Sequence, residues 1–444
     1  MPDPVSLKPT ASHNESSRVS RREIFAWAMF DFANSGYTTV VLTAIFSAYF
    51  VDVVAAGFSA SGSGTATLLW TSAMAATNLL VVLSAPVVGA LADYGARKKR
   101  YLAFTTVGCV GFTVLLGFTG PGDVWFGMGV VIIASFMFAT GENLIAAFLP
   151  EIAHRDDMGR ISGYGWSLGY LGGLLVLGLC LAYISWAETH GQSAPQFVPV
   201  TLWITAAAFA LAAVPTFLWL RERAAPQTHT VKLSDIWVGF VRVGDTLKHV
   251  RKFRDLFRFL VTLTVYYCGI ITVVLLAAVY ARQAMGFSMR DTVFLILVVN
   301  VTAAVGAYAF GVIQDRLGSA RTLALTLIVW IAALVLAYFA QGRAVFWVVA
   351  NLVGLALGSS QSAGRALVGQ FAPVARSAEF FGLWGLASKL SAIVGPLCYG
   401  WVTYLSHGNH RLGLLATSLF FIVGLLGLVT VDERRGREAA QAGL

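Results

Sequence analysis

Long apolar runs separated by short polar or basic stretches organise this chain. Twelve such segments fall at roughly 24–54, 65–92, 101–119, 124–149, 160–186, 198–220, 256–283, 290–313, 321–340, 344–371, 378–405 and 411–431. Each is long enough to cross a bilayer core of about 30 Å as a helix, for which roughly 20 residues suffice. The polar stretches 1–20 and 433–444 read as tails, the first disordered. The longest connection, 221–255, divides the chain into halves of six segments each, 21–220 and 256–432. Within it Leu233, Ile236, Phe240, Val243, Leu247 and Val250 recur at steps of three and four, with basic residues filling much of the other face. That spacing predicts an amphipathic helix on the inner membrane surface, with a solvated linker helix as the alternative. The expected fold class is an all-α membrane protein of 12 transmembrane helices.

The two halves repeat. Gly141-Glu142-Asn143-Leu144-Ile145-Ala146-Ala147-Phe148-Leu149-Pro150 returns 223 residues later as Gly364-Arg365-Ala366-Leu367-Val368-Gly369-Gln370-Phe371-Ala372-Pro373. Glycine, leucine, phenylalanine and proline match, while an acid faces a base at the second position. Gly89-Ala90-Leu91-Ala92-Asp93, at the end of the second segment, matches Gly311-Val312-Ile313-Gln314-Asp315 at the end of the eighth. Parallel six-span repeats predict two bundles related by an axis along the membrane normal, with a site between them near the midplane.

Composition excludes a soluble protein: 57% of residues are hydrophobic and 12% charged, against about 25% charged in an average soluble domain. The net charge of +9 does not indicate a nucleic-acid partner, because the basic residues sit in short connections between spans. With both termini inside, the inner tails and loops carry 25 of the 31 Lys and Arg and the outer loops four. The positive-inside rule then places both termini in the cytoplasm. The short loops suggest a bacterial inner membrane, with a eukaryotic internal membrane as the alternative. Arg365 and Lys389 are left over, both within spans. Cys109, Cys180, Cys268 and Cys398 read as small core hydrophobes. The seven histidines all fall in tails or connections. No familiar metal-ligand or nucleophile pattern is present, so neither an enzyme, a metal site nor a cofactor is expected.

The chemistry is expected at charges inside the spans. Asp31 lies roughly 13 Å into the first span, with Asn34, Ser35 and Thr38 on the same face. The stripe is either a substrate or proton site or a helix-packing cluster. Glu142 lies roughly 12 Å from the inner end of the fourth span, and Arg365 at the equivalent place in the tenth. A buried isolated charge costs several kcal/mol, so each requires a partner or water. The sharper expectation is a direct Glu142–Arg365 pair, and the alternative is local pairing with Asn143 or backbone carbonyls. Lys389 is a candidate to bind a substrate carboxylate, balance Asp31 or transfer protons. Gly163, Gly165, Gly169, Gly172 and Gly173 predict close helix approach by the fifth span.

Gly89-x-x-x-Asp93 followed by Ala96-Arg97-Lys98, and Gly311-x-x-x-Asp315-Arg316-x-Gly318, resemble the loop signature of the major facilitator superfamily. The first copy departs from it at Tyr94, in the usual arginine place, and at Ala96, in the usual glycine place. Trp27-Ala28-Met29-Phe30-Asp31-Phe32-Ala33-Asn34-Ser35, Phe148-Leu149-Pro150-Glu151, the run Ser162 to Gly173 and Glu379-Phe380-Phe381-Gly382 resemble the branch of fungal vacuolar, autophagy-related amino-acid effluxers. The resemblance implies two pseudo-symmetric six-helix bundles. It implies that Asp93 meets the start of the eleventh span and Asp315 that of the fifth, with Arg97 and Arg316 in the same cytoplasmic gate. It further implies a small polar organic solute, best an amino acid. With the charges inside the spans, the expected function is a secondary transporter working by alternating access, with protons entering through Asp31 or Glu142. Function as a monomer within the bilayer is expected. An exporter of drugs or metabolites and a transport-inactive sensor or scaffold are the alternatives.

Overall fold

The computed structural model describes residues 19–59, 65–154, 156–224, 253–283, 285–287, 289–407 and 409–442. The amphipathic helix expected in the connection, and most of the first tail, lie outside them. Twelve helical spans follow one another: Arg21–Val54, Thr65–Tyr94, Lys98–Leu116, Val124–Ala146, Met158–Thr189 and Ala194–Trp219, then Arg254–Gln283, Met289–Leu317, Ser319–Phe339, Arg343–Phe371, Ser377–Leu405 and His410–Val429. A short helix, Glu433–Ala442, closes the chain. Among the described residues eleven helices are long and apolar enough to cross a membrane. The third span falls short of that measure because Lys98, Lys99 and Arg100 crowd its first turn. It packs between the fourth and sixth spans all the same.

The first span shows why local sequence matters. Ser20 and Glu23 form a capping box: the Ser20 hydroxyl accepts the Glu23 N–H at 3.2 Å, and Glu23 accepts the Ser20 N–H at 3.1 Å. Further on, the hydroxyls of Ser35, Thr38 and Thr39 donate to carbonyls four residues back. Such back-bonding loosens a helix, and π-helical turns follow at Thr38–Ala44 and Phe50–Val54.

The duplication is visible in the packing. In the first bundle the second span packs on the fourth, the first on the fifth and sixth, and the third on the fourth and sixth. In the second bundle the eighth packs on the tenth, the seventh on the eleventh and twelfth, and the ninth on the tenth and twelfth. Between bundles, the fifth span packs on the eighth and tenth, and the eleventh on the second and fourth. The interface is tightest toward the face that carries the chain ends, hereafter the terminus face. There a Cβ on Gly89 would fall on the carbonyl oxygen of Ala378, and one on Gly163 would lie 2.5 Å from that of Ala307. Only glycine allows the backbones to approach so closely.

Each bundle is also clasped at the terminus face by the segment after its last span. Glu222 accepts the N–H groups of Lys98 (2.8 Å) and Lys99 (3.2 Å), and Arg223 pairs with Glu23 at 2.9 Å. Correspondingly, Glu433 accepts the N–H groups of Ser319 (3.3 Å) and Ala320 (3.1 Å), and Arg435 pairs with Asp255 at 2.5 Å. In both halves a glutamate caps the third helix of the bundle, and an arginine holds an acid at the start of its first helix.

Candidate functional site

Arg365 does not meet its repeat mate. Its Nη1 lies 2.6 Å from Asp31 Oδ2, so the tenth span is tied to the first across the bundle interface. Its Nε donates to the Ser162 hydroxyl at 3.1 Å and its Nη2 to the Ser162 carbonyl at 2.8 Å. The guanidinium lies between two indoles, 4.7 Å from the Trp27 ring centroid and 5.2 Å from that of Trp166. Trp27 is held in place by its own Nε1 bond to the Ile145 carbonyl, at 2.8 Å. The expected Glu142–Arg365 pair is therefore replaced by Asp31–Arg365. The reason is steric: a Cβ on Gly165 would fall on the Asp31 carboxylate and lie 2.5 Å from Arg365 Nη2, so a bare backbone leaves the space where they meet. With two hydrogen bonds, a counter-charge and two π faces, the buried guanidinium is compensated for lost water.

Glu142 and Lys389 stand beside this pair without an ion-pair partner within 4.0 Å among the described residues. Lys389, Asp31 and Arg365 are the charges within electrostatic reach of Glu142. Asn143 packs its amide onto the bare backbone of Gly385, one turn before Lys389, and so brings the fourth span against the eleventh. Lys389 does not balance Asp31, because Arg365 does. Among the described residues Asn34 is buried with both amide atoms unpaired, and the Trp166 N–H, the Tyr266 hydroxyl and the Ser362 hydroxyl are likewise without a partner. The Ser35 and Thr38 hydroxyls turn onto their own helix, so the polar stripe of the first span reduces to Asp31 and Asn34. Unpaired buried polar groups cost free energy unless something occupies the site with them. Among the described residues no group of three or more His, Cys, Asp and Glu is placed to hold a metal ion.

At the terminus face the two loop acids make equivalent bonds. Asp93 accepts the N–H of Glu379 at 2.9 Å, and Asp315 accepts that of Arg160 at 3.2 Å. Glu379 and Arg160 are the third residues of the eleventh and fifth spans. Each acid thus sits at the positive end of a helix in the opposite bundle. The surroundings differ. Asp93 adjoins a fully buried Lys98, whose Nζ lies 3.6 Å from Asp93, pairs closely with Glu151 and donates to the Ser377 hydroxyl at 2.9 Å. Glu379 is itself paired with Arg376 at 2.7 Å. Among the described residues Asp315 has no comparable buried cation, and its neighbour Gln314 instead donates to Ser319 at 2.7 Å. Lys98 and Arg376 are thus the buried cations of the first cluster. Arg97 is the residue before the third span, and Arg316 is exposed. Nearby, burial raises the Glu222 carboxyl above the usual range, against the pull of two backbone N–H groups and Lys98.

Trp166, Tyr266, Tyr267 and Trp384 stand out in the sequence as possible lining residues. Ser162 and Gly165 do not, because a serine and a glycine in a glycine-rich span carry no sign of a charge beside them. Lys98 and Glu151 fall within motifs of the sequence, but nothing in those motifs shows that the two pair.

With this geometry in view, known proteins supply the context. A family model described as "Vacuole effluxer Atg22 like" matches residues 63–441. An uncharacterised MFS-type transporter, YxiO, of Bacillus subtilis is 27% identical over 421 residues, covering 94% of this chain and 96% of that protein. Autophagy-related protein 22 of Yarrowia lipolytica is 27% identical over 339 residues, 68% of this chain and 56% of the fungal protein. In structure the chain is similar to the proton:xylose symporter XylE, with a TM-score of 0.71 over 95% of this chain and 98% of the other, at 15% identity. At that identity the likeness speaks for the fold, which is that of the major facilitator superfamily. The paired bundles, the two helix-capping loop acids and the match over most of the sequence converge: the chain is a transporter of the Atg22-like vacuole effluxer family.

Proposed function

We propose that the protein is a secondary active transporter that moves a small polar organic solute, best an amino acid, by alternating access coupled to protons. The observation that carries this reading is the unpaired Glu142 and Lys389 beside the closed Asp31–Arg365 pair. Two opposite charges without partners, at an interface between bundles, suit a zwitterion: an ammonium at Glu142 and a carboxylate at Lys389. The unpaired donors of Asn34 and Trp166 offer further bonds to a carboxylate. Protonation of Asp31 would free Arg365 and release the tie between first and tenth spans, a route by which proton uptake loosens one bundle from the other. Glu142 is the other candidate proton carrier.

In this reading the terminus face is the cytoplasmic side of a bacterial inner membrane. The Asp93 and Asp315 contacts hold that side shut, so the conformation is outward-facing. Asn143 positions the fourth span and contributes to the same site. The protein acts as a monomer in the bilayer, with the solute and protons as its partners. A second reading, an exporter of drugs or metabolites, is favoured by the indoles and phenols around the charges, which suit an amphipathic solute.

Reconstituted full-length protein in liposomes tests both. Counterflow and pH-gradient-driven uptake are measured for a panel of amino acids and of amphipathic cations and anions. Flux of at least one amino acid that collapses with the gradient supports the leading reading. Flux of amphipaths alone supports the second, and no flux of any solute by a folded protein overturns both.

A further inference from the structure

A cavity of about 630 Å³ opens at the terminus face of the second bundle, between the starts of the seventh and ninth spans, the ends of the eighth and twelfth, and the segment that follows. Four arginines line it: Arg258, Arg321, Arg434 and Arg435. The acids around it are already committed. Asp255 accepts Arg435 Nε (2.5 Å), Arg435 Nη2 (2.6 Å) and the N–H of Asp432 (3.0 Å). Asp432 accepts the N–H of Arg435 at 3.0 Å. Glu433 caps the ninth span and pairs with Arg437. Arg434 pairs with Glu438 on the open surface at 3.1 Å.

Two guanidiniums remain. Arg258 donates to the Thr430 carbonyl at 3.0 Å, and among the described residues neither Arg258 nor Arg321 forms an ion pair with a carboxylate. Arg258 lies about one turn into the seventh span and Arg321 is the third residue of the ninth, which puts both at the depth of lipid headgroups. Apolar residues complete the rim. Leu317 and Val429, the last residues of the eighth and twelfth spans, are 44% and 83% exposed. Two guanidiniums without a carboxylate partner beneath an apolar rim match an anion that carries hydrocarbon chains. Guanidinium and phosphate oxygens pair in short, charge-assisted bonds, and a basic pocket between helix ends is where an anionic headgroup gains most.

We propose that this cavity binds the phosphate of an anionic phospholipid in the leaflet at the terminus face, with Arg258 and Arg321 as its donors and Leu317 and Val429 against its acyl chains. The bound lipid joins the seventh, ninth and twelfth spans at one corner and adds to the clasp that Glu433 and Arg435 make there. It does not depend on what the central site carries.

The test is thermal unfolding of the full-length protein in a neutral detergent with added phosphatidylglycerol, phosphatidylcholine or inorganic phosphate. Phosphatidylglycerol is expected to raise the melting temperature by several degrees and the other two additives by little. The Arg258→Gln, Arg321→Gln double variant is expected to lose at least half of that shift. Arg321→Gln alone, at an exposed side chain with no bond to lose, keeps the test decisive if the double variant folds poorly. Equal shifts with phosphatidylcholine would remove the anionic headgroup from the proposal, equal shifts with inorganic phosphate would make it a soluble-anion site, and an undiminished shift in both variants would place the lipid elsewhere.

Discussion

Arg365 of the tenth span and Asp31 of the first are joined at 2.6 Å in the interior, so the two bundles share a buried ion pair. Its stability depends on both members. Arg365→Met leaves the Asp31 carboxylate buried without a counter-charge, an expected cost of about 3–5 kcal/mol. Asp31→Asn combined with Arg365→Met is expected to regain more than half of that loss, as read by thermal unfolding. Equal melting temperatures for the single and double variants would mean that the pair does not couple the bundles.

Glu142 is expected to behave differently. With no ion pair to break, Glu142→Gln should change stability by no more than about 1 kcal/mol, because it removes a partly buried charge and keeps the shape. Gradient-driven flux is expected to fall by tenfold or more in the same variant. A large drop in melting temperature would instead identify Glu142 as a structural partner.

Gly165 makes room for the ion pair. Gly165→Ala is expected to destabilise by about 1–3 kcal/mol, the usual penalty for overpacking. In an Asp31→Ala, Arg365→Ala background the same change should cost less than half as much. A penalty independent of background would show that the methyl clashes with the Trp27 ring and not with the pair.

Ala96 adopts φ 44°, and its repeat counterpart Gly318 adopts φ 89°. A left-handed conformation strains alanine and not glycine. Ala96→Gly is therefore expected to stabilise by up to about 1 kcal/mol, after allowance for the greater freedom of glycine in the unfolded chain. A lower melting temperature would count against a left-handed backbone at this turn.

Lys98 holds Asp93 and Glu151 together within a fully buried cluster. Lys98→Met leaves two acids facing each other, and the joint at the terminus face is expected to open. A cysteine placed at Ala378, buried there at 2% exposure, should then react with a membrane-impermeant thiol reagent at least several times faster from that face. Asp315→Asn, which disturbs no buried cation, should accelerate labelling less. Equal rates in all three proteins would detach Lys98 from the closed state.

The spans and their duplication follow from the sequence because both rest on local quantities. Apolar length makes a span, since an unpaired backbone group in lipid is prohibitive and a helix is the local solution. Repetition of Gly-x-x-x-Asp and of the decapeptides at 141 and 364 reports the two bundles without any knowledge of contacts. The list of interior charges was legible for the same reason, as Asp31, Glu142, Arg365 and Lys389 lie too far along their helices to reach either surface with ease. The partners of these charges were not. The repeat suggests Glu142 for Arg365, but repeat symmetry relates positions in the two halves and says nothing of which side chains touch. The choice of Asp31 came from the space left by Gly165, the carbonyl of Ser162 and the two indoles, all set by helix rotation and crossing. That Lys98 meets Asp93 and Glu151 came from which side of the third helix faces the bundle interface. Sequence alone determined that this chain is a duplicated membrane bundle with charges in its interior. Only the tertiary structure decided which charges are spent on one another and which, Glu142 and Lys389, are left over, because pairing depends on distances of a few ångströms between helices far apart in the chain.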